Sequence, residues 1–115
     1  MEDTMAETQS FKSLKDQYFL LDRNFNKLFA ACTTAAQRDE LRSDYVNSRD
    51  NFWEARKRIF AENEPLVKQL NKELQDTKDQ IDKMLQNLKN IPQVLKVITA
   101  AVRLGSSLIT MGSAA

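Results

Sequence analysis

The sequence contains no histidine, a single cysteine, two glycines and two prolines in 115 residues. Each shortage removes a class of function. Without histidine there is no imidazole base, and a zinc or haem site built on His and Cys has nothing to draw on. One cysteine, Cys32, cannot close an intramolecular bridge, so a disulfide scaffold is excluded. So few glycines leave no loop to cradle a phosphate. Charge of one sign is also missing: 17 Lys and Arg against 16 Asp and Glu give +1. That is too weak a field for a chain whose main partner is nucleic acid. Residues 1–7 are acidic and polar, unlike a secretory leader. The cytoplasm is therefore the expected compartment, with peripheral membrane association or leaderless export left open.

What is present is apolar residues at helical spacing. The apolar fraction of 42% and charged fraction of 29% suffice for a core and do not fit a disordered chain. The length suits one domain, expected as a helical unit over 10–111 behind a polar tail over 1–9. Phe11, Leu14, Tyr18, Leu21, Phe25, Leu28 and Cys32 follow at alternating spacings of 3 and 4, a heptad seam widened by Leu20 and Phe29. This predicts a first helix near 10–32, capped by Ser10 or Thr4, with Thr4 and Glu7 at capping-box spacing. Cys32 reads as a small buried thiol.

Thr34 with Gln37 forms a second capping box and opens a helix near 35–62. Its stripe is Leu41, Tyr45, Ser48, Phe52, Ala55 and Ile59, with Val46, Trp53 and Phe60 alongside. Pro65 fits the start of a third helix near 65–90, capped by Asn63 or Glu64. Its seam is Val67, Leu70, Leu74, Thr77, Ile81, Met84, Leu88 and Ile91. Asn90 and Gln93 cap a last segment near 91–111. The same spacing runs on through Leu95, Ile98, Val102, Gly105 and Ile109, which favours a kink at Pro92 over a reversal. Ser48 and Thr77, polar groups within seams, read as register-setting residues or exposed helix positions.

The final segment is the most apolar, and from Lys83 onward Lys83, Lys89, Lys96 and Arg103 meet no acidic residue. Its apolar arc covers half the helical wheel, more than a two-stranded seam needs, so Leu95, Ile98, Val102, Leu108 and Ile109 face either a bundle or lipid. Lys96 and Arg103 argue against a fixed transmembrane span. Ala101 and Gly105, four apart, let another helix approach closely.

Catalytic constellations are not evident. Asp39, Glu40 and Asp44, then Glu73, Asp76 and Asp79, read as solvated pairs with interleaved lysines. Without Glu-x-x-His repeats a carboxylate-bridged metal bundle is ruled out. Arg49, Arg56, Lys57 and Arg58 surround Phe52 and Trp53, which reads first as a core or interface anchor and second as a protein-binding patch.

The expected fold is therefore all-α: an antiparallel helical hairpin or four-helix bundle with coiled-coil-like seams, with the elongated, oligomeric form slightly favoured. The expected function is non-enzymatic, with no cofactor, metal or small-molecule substrate. The chain would associate with itself or a helical partner through Leu14, Leu21, Leu28, Leu70, Leu74, Ile81, Leu88 and Trp53. The alternative is a membrane-associated protein whose last helix contacts lipid. That layout, long amphipathic helices plus one strongly apolar helix, is similar in outline to α-helical pore-forming proteins.

Overall fold

A computed structural model describes residues 8–114. Four helices follow in order: α1 (Gln9–Ala31), α2 (Ala35–Ala55), α3 (Pro65–Met84) and α4 (Ile91–Met111). The starts are set by caps. Thr8, rather than Ser10, accepts from the backbone N–H of Phe11 at 3.2 Å. Ser10 lies fully buried inside α1 and accepts from Asn71 Nδ2 at 3.0 Å. Thr4 and Glu7 lie outside the described residues. Thr34 accepts from Gln37 N as expected, while the Gln37 side chain reaches back to the backbone N–H of Thr33 at 2.7 Å. α3 is the exception: Pro65 opens it, and Glu64 stands at its N-cap, in place of Asn63, with no side-chain cap bond, while Asn90 accepts from Gln93 N at 3.4 Å to cap α4.

Two helices end earlier than the spacing suggests. α2 stops at Ala55, where Lys57 and Arg58 donate to Glu54 and Ala55 carbonyls. These tighter contacts close the last turn. The cations of Arg56, Lys57 and Arg58 then sit at the helix C-terminus, where the dipole favours positive charge. Beyond it, Phe60 pairs with Ser113 in an antiparallel bridge, and Ala61 N donates to Gly112 O at 2.8 Å. This pairing turns Phe60 inward and leaves Ile59 outward at 78% exposure, correcting its place in the buried stripe. α3 likewise stops at Met84, and the chain reverses through 85–90 to lay α4 against α3. The expected kink at Pro92 is a turn. Spacing persists across it because both helices face one core, and each needs its own apolar seam there.

The order of packing is not the order of the chain. α1 touches α2 and α3, α4 touches α2 and α3, and α2 does not touch α3. Those two occupy one diagonal, joined by the 56–64 connection. Short links make α1/α2 and α3/α4 antiparallel. Across the other sides, Asp44 meets Thr99 and Asn51 meets Ser106, so α2 and α4 run parallel. The radius of gyration is 14.5 Å, close to the roughly 13 Å of a compact 100-residue domain. The chain is a compact four-helix bundle, not an elongated hairpin.

Its core comes in two parts. One holds Leu20, Leu21, Leu28, Cys32, Leu41, Ile81 and the first half of α4. The other holds Leu14, Ala55, Phe60, Val67, Leu70, Leu74 and Leu108. Between them each helix contributes a polar or small residue: Gln17, Ser48 and Asn51, Thr77, and Gly105. Gln17 Nε2 donates to Ala101 O at 2.8 Å, and the Thr77 hydroxyl donates to Leu74 O at 3.0 Å. A Cβ on Gly105 would lie 3.0 Å from both Gln17 Oε1 and Leu14 Cδ2. The close approach that Ala101 and Gly105 permit is thus made by α1 of the same chain.

Candidate binding surfaces

The α1 seam divides its side chains between two neighbours. Leu14, Leu21 and Leu28 enter the core, while Phe11, Tyr18 and Phe25 lean toward α2 and meet Phe52 and Tyr45. Tyr18 stacks on Phe52 at 5.6 Å between centroids, and Phe25 meets Tyr45 at 5.0 Å. Contacts of this kind add about 0.5–1.5 kcal/mol each beyond burial. The Tyr45 hydroxyl donates to Asp22 at 2.6 Å, and that bond, with the Tyr18 hydroxyl beside it, holds its pKa above the ordinary phenol value.

The outer side of this aromatic ladder faces solvent. Phe19 lies 5.6 Å from Phe52, which lies 6.2 Å from Trp53. Phe19, Val46 and Trp53 are 39%, 39% and 51% exposed. They make up half of the large apolar side chains that stand exposed among the described residues; the others are Ile59, Leu66 and Met111. Cations rest on aromatic rings of both helices: Arg42 over Phe29 and Arg56 over Trp53, each at 4.8 Å, and Lys15 over Phe11 at 5.7 Å. Apolar area, an indole and guanidinium groups are the components in which interface hot spots are richest.

A polar cleft of about 350 Å³ opens on the other side of α2, where it meets α4. Its floor is Asp44, buried at 5% exposure. The Thr99 hydroxyl lies 2.6 Å from Asp44 Oδ2 and 2.8 Å from Glu40 Oε2, so one proton is shared between two carboxylates. Burial pushes the Asp44 pKa up to about 6; Glu40 adds to the rise, while Thr99 and Arg103 oppose it. Asp44 is thereby corrected from a solvated helix carboxylate to a buried one. The other carboxylates hold to the expected pattern, with Lys72 and Asp76 exposed and 3.1 Å apart. Among the described residues no group of three or more His, Cys, Asp or Glu is placed to hold a metal ion.

The expected interface residues fall into two sets. Leu14, Leu21, Leu28, Leu70, Leu74 and Ile81 are buried against this chain's own helices, so the seams that another copy was expected to cover are already covered. Leu88 is half-buried on the same core. Trp53 alone of that set is exposed. Leu95, Ile98, Val102 and Leu108 are buried, and Ile109 packs half-buried beside them, so all five face the bundle. Cys32 is buried, and its thiol, raised in pKa by that burial, donates to Leu28 O at 3.4 Å.

Sequence reasoning passed over Phe19 and the role of Arg42. Both had a signal: Phe19 lies off the α1 seam, and Arg42, Arg49 and Arg56 recur every seven residues. No protein-family model, curated protein or solved structure matches the chain.

Proposed function

We propose that the chain is a non-enzymatic helical binding module that engages another protein through the outer face of α1 and α2. The observation that carries this reading is the clustering of Phe19, Val46 and Trp53 on that one face, above an aromatic ladder that fixes their positions. An anchor already held in place loses little entropy on binding. Site-specific photo-cross-linking in the producing cell tests it. Benzoylphenylalanine replacing Val46 is expected to trap a discrete protein adduct, lost in the Trp53→Ala background. The same group replacing Gln75 on α3 is expected to trap none. Identical adducts from both positions, or none from either, would overturn the reading.

A second reading assigns lipid contact to α4. It is favoured by one property: among the described residues only α4 is long and apolar enough to cross a membrane, with mean hydropathy 1.5. Because its apolar arc is the bundle core, this reading requires α4 to leave the bundle. Flotation with anionic liposomes tests it, with binding expected to disappear in Ile98→Asp if lipid takes up that face.

A further inference from the structure

The exposed side of α2 carries a regular repeat. Arg42, Arg49 and Arg56 stand seven residues apart, and Val46 and Trp53 interleave with them at the same period. On an α-helix a seven-residue step advances about 10.5 Å along nearly one line. The face therefore places three arginines at regular intervals over about 21 Å, with an apolar residue between each pair. This is the arrangement of one half of a helix–helix seam, and none of the four described helices covers it. From this repeat, and resting on the interaction reading above, we infer that the outer face of α2 takes an acidic amphipathic helix of a partner protein, with carboxylates at heptad spacing between apolar residues.

The charges already on the face are compatible with exchange. Arg42 bonds to Asp39 at 3.1 Å and Arg49 lies 3.6 Å from Asp50, but those carboxylates are 75% and 62% exposed. Ion pairs so open to water contribute about 0–1 kcal/mol, so a partner's carboxylates replace them with little loss. Arg56 rests on the Trp53 ring. Glu40 and Asp44 turn to Thr99 on α4, and Glu54 pairs with Arg58 at 3.3 Å. A second copy of this chain is a poor occupant in an α2-to-α2 pairing, because arginine would oppose arginine.

Trp53 is the only tryptophan in the chain, so its fluorescence reports the face directly. Two synthetic helical peptides about three heptads long share one leucine seam; one carries Glu at the flanking heptad position, the other Lys. The Glu peptide is expected to shift Trp53 emission to the blue, saturably, and to bind at least about tenfold more tightly than the Lys peptide. That margin is expected to narrow at high salt. Arg49→Glu, which leaves the helical circular dichroism unchanged, is expected to reverse the preference. Equal binding of both peptides, or indifference to Arg49→Glu, would overturn the inference. So would a larger Trp53 response to anionic vesicles or to a single-stranded oligonucleotide than to the Glu peptide. If neither peptide shifts Trp53 while position 46 still traps a protein, the acidic helix is wrong and the interaction reading stands. Failure of both experiments removes both.

Discussion

α2 and α4 are both 21 residues long and run parallel, side by side, yet they are built in opposite senses. α4 buries Ile91, Val94, Leu95, Val97, Ile98, Ala101, Val102 and Leu108, eight of its twelve apolar residues, together with Gly105. α2 buries Leu41, Asp44, Ser48, Asn51 and Ala55, and leaves Val46 and Trp53 outside. Burial in α4 follows the hydrophobic effect. In α2 it follows neighbours: Thr99 supplies a hydrogen bond for Asp44, Ser106 accepts one from Asn51, and the hydroxyl of Ser48 donates to Tyr45 O. A polar group can be buried where its partner is already waiting. The lesson is a division of labour: α4 supplies most of the apolar core, while α2 buries polar groups toward α4 and leaves Val46 and Trp53 exposed on its outer side.

That division breaks most visibly in α4. Ile98 is fully buried, so Ile98→Ala is expected to cost about 2–5 kcal/mol, removed methyl groups and residual cavity together. At about 4 °C per kcal/mol for a domain of this size, the loss corresponds to a fall in Tm of about 8–20 °C. Calorimetry or urea unfolding measures it. A change below about 1 kcal/mol would mean that α4 is not the helix on which the core depends.

How much of this was legible beforehand follows from the same contrast. The apolar arc of α4 is legible in its own composition and spacing, though not that the bundle rather than lipid covers it, nor that Met111 at its end stands 53% exposed. The α1 seam was legible too, along with the caps at Thr34 and Asn90. The α2 interior was not. Nothing about Asp44 or Asn51 in isolation marks them as buried; that depends on Thr99 and Ser106 arriving 55 residues later in the chain. Ile59 and Phe60 were exchanged because the stripe was carried past Ala55, and once the helix ends its period no longer decides which neighbour points inward. The reversal after Met84 was hidden by an unbroken spacing, which two helices sharing one core produce as readily as one bent helix. At the candidate site, Trp53 and the basic cluster around it stood out. Phe19 did not, since beside Leu20 and Leu21 it is one more apolar residue until the packing shows which of them lacks cover.

A middle-sized effect sharpens the polar side of the comparison. The Asp44 pKa is raised in the folded chain from 3.8 to about 6, so the native state holds this proton more tightly than the unfolded state does. Its contribution to stability is therefore fully present below about pH 4 and is lost as pH rises from about 4 to 6. Asp44→Asn removes the ionisation and still offers Thr99 an acceptor. At pH 7–8 the variant is expected to be more stable than the native chain, on the order of 1 kcal/mol once solvent screening is allowed for. The gap should close toward pH 4. Urea unfolding across that range measures it. A variant that is less stable at pH 8, or a gap that widens in acid, would show that the carboxylate itself is what fixes α2 to α4.

The smallest expected change in stability is on the outer side of α2, and its smallness is the point. Val46 is 39% exposed and Val46→Ala removes only two methyl groups, so little buried surface is lost, whereas Trp53 is half covered by Phe52 and Arg56 and is left in place. Away from buried features such substitutions fall within about 0.5 kcal/mol. Val46→Ala should therefore leave the unfolding midpoint nearly where it was, although a β-branched residue gives way to a better helix former. If the outer face were merely unfinished core, Val46→Ala would destabilise in proportion to its contacts and binding would be indifferent to it. If it is a surface for a partner, stability stays level while affinity for the Glu peptide drops several-fold. Measured together, unfolding and Trp53 fluorescence separate the two cases, because only a recognition surface can lose its ligand without losing its fold.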